Sequence, residues 1–217
     1  MALKKKRVPS FSIYAVLDRQ SVTLRPLTAI ASDCLKAGIK IIQLRDKTED
    51  SARFYRDAVA LKKLIGTKAL YIINDRIDIA KLSNADGVHL GQYDIPVAAA
   101  RKILGPKAIV GKSCHSLAQA LSAEKEGVDY ISIGPVFSTP TKPDYKPVGI
   151  GLLEKVRTHV TLPVVAIGGI TKDNIHLVRA TNTHLIAVVR AIGKAKDTVK
   201  AVKELSEGVS YGVSRQT

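Results

Sequence analysis

The sequence has few cysteines and few acids. Cys34 and Cys114 are its only cysteines, and they stand far apart with no metal-type spacing. A cysteine-held metal is therefore not expected, and both read as small, buried, reduced side chains. Against 34 Lys+Arg there are 19 Asp+Glu, a formal charge of +15. Such a balance suits anionic partners. Glutamate is too scarce for the paired Lys/Glu enrichment of thermophile surfaces. The cations are scattered, without a docking motif or basic-aromatic clusters, so no specific nucleic-acid partner is expected. No apolar run is long enough to span a bilayer. After the basic MALKKKR, the segment SIYAVL is too short for a signal-peptide core and lacks a small-residue cleavage site; a cytoplasmic location without a membrane partner is expected. Two further absences concern chemistry. No G-x-S-x-G nucleophile elbow occurs. The first β-rich run ends in Leu17-Asp18-Arg19, without the closely spaced glycines of a dinucleotide-binding sheet.

What is present is a regular alternation. At 217 residues and 46% apolar content the chain fits one domain with a substantial core. Short β-rich runs occupy residues 12–17, 39–44, 69–74, 87–90, 108–113, 130–134, 163–168 and 184–189. Amphipathic segments lie between them; in SARFYRDAVALKKLIG, Phe54, Ala58, Leu61 and Ile65 recur at helical spacing. Strands alternating with helices predict a parallel sheet. Eight runs are the number that closes a (β/α)8 TIM barrel. The expected organisation is a basic arm over 1–10, a barrel over 11–206 and a mobile tail over 207–217.

Chemistry in such barrels sits where the strands end, and polar residues cluster there. IIQLRDK puts Gln43, Arg45 and Lys47 on one face of the second run. A rim ion pair, with Arg45 beside Asp46 or another acid, would account for one charge; a same-face pair favours an anion site. INDR brings Asn74 and Asp75 to the mouth, and VHLGQYD brings Asp94. Each acid alone reads as a helix cap, Asp94 before Ile95-Pro96 above all. Together they suit Mg²⁺ held by carboxylates and substrate phosphates. In GKSCHS, Ser113 faces the lumen, Cys114 away and His115 inward; hydrogen bonding to substrate is expected of Ser113, and His115 reads as structural. PVFSTPTKPDYKPVG is much longer than the usual βα loop of about 2–6 residues; it places Thr139, Thr141 and Lys142 around Pro140, a group suited to phosphate. IGGIT supplies Gly168 and Gly169, whose backbone can approach a ligand closely, with Thr171 starting a helix whose N-terminus attracts anions.

Taken in order, IIQLRDK, INDRIDIA, ADGVHLGQYD, GKSCHS, YISIGPVFSTPTKPD and VVAIGGIT resemble the signature segments of the thiamine phosphate synthase family, over most of the chain. The resemblance implies a (β/α)8 barrel that joins an aminopyrimidine diphosphate to a thiazole phosphate and releases pyrophosphate, with Mg²⁺. It implies that Arg45, Lys47 and Lys142 hold the diphosphate and that Asp75 and Asp94 bind the metal. Gln43 and Asn74 would contact the pyrimidine, with Ser113 beside the reacting centre. Thr139, Thr141, Gly168, Gly169 and backbone around Val189 would line the thiazole phosphate side. Arg45, Lys47, Ser113 and Lys142 would carry the catalysis.

Three positions depart from the family pattern. Cys114 replaces a common Thr or Ala on the outward face, and Tyr93 stands where an acid often precedes the metal-binding Asp. Arg190 replaces a Ser at the thiazole phosphate, where it is either an added cation or a bulk that crowds the site. Two rivals remain at this stage: a thiazole tautomerase of the same family, which keeps the Ser-x-His string but needs no diphosphate machinery, and a non-catalytic nucleic-acid-binding barrel. Oligomeric state is left open, a homodimer included.

Overall fold

Strands covered on both faces must be apolar on both, and the runs of this chain are. The computed structural model describes residues 8–10, 12–22, 25–141 and 145–207. Strands β1 (Ser12–Asp18), β2 (Ile41–Arg45), β3 (Leu70–Asn74), β4 (Gly87–Leu90), β5 (Ile109–Cys114), β6 (Tyr130–Ile133), β7 (Val164–Ile167) and β8 (Leu185–Val188) form a closed barrel in chain order. Neighbours are parallel, and β1 closes on β8 with Tyr14 opposite Ala187. The helices are α1 (Leu27–Lys36), α2 (Ser51–Ile65), α3 (Ile77–Leu82), α4 (Val97–Leu104), α5 (Leu117–Lys125), α6 (Gly149–His159), α7 (Ile175–Ala180), α8 (Arg190–Gly193) and α9 (Thr198–Ser206). This is the expected (β/α)8 barrel. Residues 1–7 of the basic arm, and the tail beyond Glu207, lie outside the described residues.

Helix α2 shows how local sequence makes these elements. Asp50 caps it by accepting the Arg53 N–H at 2.8 Å. Phe54, Ala58, Leu61 and Ile65, three or four residues apart, form its buried stripe. They pack on outward strand residues such as Ile42, Leu44 and Ile73 within the larger core. Each of the larger ones, Phe54, Leu61 and Ile65, stabilises the fold by about 1.5–3 kcal/mol relative to exposure.

The barrel wall divides the core in two. Alternate strand residues turn inward and form a second cluster that includes Tyr14, Val16, Ile41, Ile72, Ile109, Tyr130, Val165 and Leu185. The lumen is graded along its axis. Ile41, Leu70, Ile109 and Leu185 fill it near the strand starts. Two and four residues further along the same strands come Gln43, Arg45, Asn74 and Ser113, which line a cavity instead. Gly111 makes this possible: a Cβ there would lie 2.1 Å from the Tyr130 ring, so only glycine lets that ring cross the lumen. Among the described residues no helix is long and apolar enough to cross a membrane.

Candidate active site

The cavity at the strand C-terminal ends has a volume of about 360 Å³, within the range of small-molecule sites. Gln43, Arg45, Asn74 and Ser113 line it from the strands, with His115 at the rim. Thr139 and Thr141 come from the loop after β6, Gly168 and Gly169 from the end of β7, and Val189 and Arg190 from the end of β8. Lys47, Asp75 and Asp94 sit beside this cavity as a separate cluster. Lys142 lies outside the described residues.

The cationic edge is organised by acids. Arg45 Nη1 donates to Asp18 Oδ1 at 2.7 Å, and Asp18, only 1% exposed, also accepts the Ser21 hydroxyl at 2.7 Å. Asp18 is thus the acid that holds Arg45; Asp46 turns to its own loop, accepting the Thr48 N–H at 2.8 Å. Lys47 Nζ pairs with the Asp75 carboxylate. Asp75 adopts a left-handed backbone at φ 60° directly after β3 and gives its N–H to the His89 carbonyl at 2.8 Å; Asp tolerates this region better than most residues do.

Asp94 does not cap α4. That helix starts at Val97 behind Pro96, with no side-chain cap bond. Asp94 Oδ2 instead accepts the Gly91 N–H at 2.6 Å, folding the loop after β4 back on itself. Burial pushes the Asp94 carboxyl above its ordinary range. The Gly91 N–H opposes that shift, the Asp75 carboxylate beside it adds to it, and the Lys47 ammonium opposes it again.

The cavity floor is a continuous hydrogen-bonded network. Gln43 Nε2 donates to the Tyr14 hydroxyl at 2.6 Å, which meets the Tyr130 hydroxyl at 3.0 Å. The Tyr130 hydroxyl lies 3.0 Å from His89 Nδ1, and His89 Nε2 lies 2.9 Å from Ser113 Oγ and 3.3 Å from Ser132 Oγ. Burial drives both phenols far above their ordinary pKa, so both stay protonated. His89 stands behind Ser113 as a base stands behind a serine nucleophile, but the group behind His89 is a neutral phenol rather than a carboxylate. The floor is built to hold and orient.

The opposite side is shaped by loop packing. Val136 and Phe137 donate their N–H groups to the carbonyls of Ile167 and Gly168 at 2.9 and 3.0 Å, stitching the long loop to β7. Gly168 and Gly169 have φ of 102° and 66°, and a Cβ would lie 2.4 Å from Pro135 or 2.5 Å from the Ser138 carbonyl. The pair is needed for this backbone and this contact as well as for any approach to a ligand. Thr171 does not start a helix: α7 begins at Ile175, and Asn174 Oδ1 accepts the Thr171 N–H at 2.8 Å in a preceding turn. The Thr141 hydroxyl and Asn74 Nδ2 are buried at the cavity with no hydrogen-bond partner among the described residues, the condition of groups kept for a ligand. Arg190 is exposed at the rim, and among the described residues it forms no ion pair. His115 has Nδ1 2.5 Å from the Gly134 carbonyl and its ring 5.1 Å from that of Tyr145, a structural tether.

Sequence reasoning missed Asp18, Tyr14, His89, Tyr130 and Ser132. Strand alternation could have found most of them, because each is a polar or hydroxyl-bearing residue at an inward position of an apolar run.

Comparison with known proteins agrees with this fold. Residues 13–192 match the family model described as thiamine monophosphate synthase. The thiamine-phosphate synthase of Ruminiclostridium cellulolyticum is 41% identical over 198 residues, covering 91% of this chain and 94% of that one. That of Coprothermobacter proteolyticus is 39% identical over 208 residues, covering 95% and 99%. Among solved structures, thiamine phosphate pyrophosphorylase from Pyrococcus furiosus superposes with a TM-score of 0.82 at 39% identity, covering 89% of this chain and 93% of that one. With its barrel, its polar lumen and its matched signature segments, the chain belongs to the thiamine monophosphate synthase family.

Proposed function

We propose that this protein joins hydroxymethylpyrimidine diphosphate to thiazole phosphate, giving thiamine phosphate and pyrophosphate. The observation that carries this reading is the pairing of an anion-suited edge, Arg45 with the Lys47–Asp75–Asp94 cluster, with a floor of neutral hydrogen-bonding groups. That combination suits departure of a diphosphate from an organic ring held in place. It offers no activated nucleophile for acyl or phosphoryl capture.

Negative charge builds on pyrophosphate as the bond to the pyrimidine methylene breaks. Arg45 and Lys47, joined by Lys142, stabilise that charge more in the transition state than in the ground state. The amino group of the pyrimidine supports the carbocation left behind, and Gln43 and Asn74 orient the ring. Ser113 lies close to the reacting carbon. The thiazole nitrogen then attacks, with the thiazole phosphate held by Thr139, Thr141 and backbone at Gly168, Gly169 and Val189. Arg190 serves that phosphate as an added cation, since it reaches the cavity with no acid to neutralise it among the described residues.

The rim fits Mg²⁺. Asp75 pairs with the Lys47 ammonium and Asp94 lies beside it, its carboxyl raised first by burial and then by the Asp75 charge; oxygen donors completed by substrate phosphates suit this ion. Among the described residues no group of three His, Cys, Asp or Glu side chains could hold a metal on protein ligands alone. When bound, Mg²⁺ supplies neutralising charge to the diphosphate oxygens. The same reading makes this a cytoplasmic enzyme of small phosphorylated substrates, without a specific nucleic-acid partner. Incubation of both substrates with Mg²⁺ tests it: equal amounts of thiamine phosphate and pyrophosphate are expected. No product with the metal present would overturn the reaction, and full activity in chelator would overturn the metal.

A further inference from the structure

The floor network has a property that its separate bonds do not. From Gln43 it runs through Tyr14, Tyr130 and His89 to Ser113, crossing the lumen between five strands. An amide nitrogen only donates, and each phenol carries one proton. With Gln43 donating to Tyr14, a head-to-tail chain sends the Tyr14 proton to Tyr130 and the Tyr130 proton to His89 Nδ1. His89 is then neutral and protonated on Nε2, which donates to Ser113 Oγ. The Ser113 proton is left for the cavity. The opposite head-to-tail arrangement turns the Gln43 amide over and reverses every bond, so that Ser113 donates to His89. In either head-to-tail arrangement the two ends of the chain are set together.

We propose that this chain is a polarity relay, which fixes the Gln43 amide and the Ser113 hydroxyl together and so makes the site select an aminopyrimidine over its oxo counterpart. The proposal rests on the reaction assigned above. In the first arrangement Gln43 offers its carbonyl to the cavity, Ser113 offers a proton, and Asn74 Nδ2, buried without a partner among the described residues, offers another donor. The edge of an aminopyrimidine presents an amino donor beside a ring-nitrogen acceptor. The oxo compound presents an acceptor oxygen beside an N–H donor, the reverse pattern. Turning Gln43 to meet it would reverse the relay and withdraw the Ser113 proton from the second ring nitrogen, an acceptor in both compounds, while Asn74 would face the new N–H. A site with mismatched buried polar groups rejects such an analogue strongly. Tyr130 does not line the cavity, so it acts through its neighbours as a positioning residue.

Two measurements test this. The first is ¹⁵N-histidine NMR of the substrate-free protein, with the His89 signals assigned by loss in His89→Asn. His89 is expected as the Nε2–H tautomer in the wild type, with that preference lost in Tyr130→Phe; an Nδ1–H tautomer in the wild type overturns the relay. The second compares kcat/KM for the aminopyrimidine diphosphate and its oxo analogue. Tyr130→Phe should lower that ratio by about tenfold or more, roughly the value of one misdirected hydrogen bond, with the KM for thiazole phosphate unchanged. An unchanged ratio in Tyr130→Phe that keeps the wild-type circular dichroism overturns the proposal; Tyr14→Phe takes its place if that variant does not fold. Should the wild type make no thiamine phosphate, the assigned reaction fails, and the tautomer measurement still decides the relay.

Discussion

The Arg45 guanidinium lies 2.7 Å from Asp18 Oδ1, and Asp18 is almost fully buried between β1 and the turn at Ser21. The arginine facing the cavity is thus held from behind by a carboxylate at the end of the neighbouring strand, opposite it in the β1–β2 register. Removing that carboxylate should show in both stability and chemistry. Asp18→Asn is expected to lose about 2 kcal/mol of stability, since it leaves a half-buried cation unpaired. Its kcat/KM should fall about tenfold as Arg45 loses its orientation. Added pyrophosphate should raise the melting temperature of the variant more than that of the wild type, by replacing the missing charge; an equal rise would contradict this role of Asp18.

Asp75 pairs with Lys47 at the rim, and Asp94 lies close enough to feel both charges. If they hold Mg²⁺ together, Asp94→Asn should raise the Mg²⁺ concentration for half-maximal rate by an order of magnitude or more. High Mg²⁺ should restore part of the rate. A Mg²⁺ titration that superposes on the wild type would remove Asp94 from the metal.

Lys142 is expected to neutralise the leaving diphosphate from the loop after β6. Lys142→Ala should cut kcat by roughly 10²–10³, the size of effect seen when a preorganised transition-state contact is deleted. Circular dichroism and melting temperature should stay at wild-type values. Turnover near that of the wild type would refute the role.

Arg190 reaches the cavity with no acid beside it among the described residues. Arg190→Ser is therefore expected to raise the KM for thiazole phosphate by about fivefold to tenfold, as one charge-assisted contact is lost, with the KM for the pyrimidine diphosphate unchanged. A lowered KM for thiazole phosphate would show that the arginine crowds the site instead.

His184 gives the fold a pH dependence away from the chemistry. Burial, with the nearby Arg157 cation, lowers its pKa, and Nδ1 accepts the Val164 N–H at 3.2 Å. A histidine depressed on folding contributes stability that is fully present above its unfolded pKa of about 6.5 and is lost as the pH falls toward the folded value. The melting temperature of the wild type should drop between pH 7 and pH 5 (both on the order of one unit either side of that value), and His184→Asn should flatten the slope. Parallel slopes would exclude His184 as the source.

How much of this was legible beforehand can be seen at particular residues. Phe54, Ala58, Leu61 and Ile65 announce the buried stripe of α2, and Gln43 and Arg45 announce one strand face, because both patterns are local consequences of backbone periodicity; Lys47 lies beyond the end of β2, where that period no longer holds. The strand count and the barrel follow from the same alternation. Partnership was not legible. Tyr14 meets Tyr130 across 116 positions and Arg45 meets Asp18 across 27; nothing local distinguishes Asp18 from Asp46 as the acid that holds the arginine. Local cap signals also misled at Asp94 and Thr171, where loop hydrogen bonds to Gly91 and Asn174 won over helix initiation. By itself the sequence determined which side chains point into the lumen and at what height, since the two-residue period leaves no choice. Only the closed barrel decided which of them touch, because its register and ring closure bring distant strands within hydrogen-bond reach and thereby join separate polar residues into one floor.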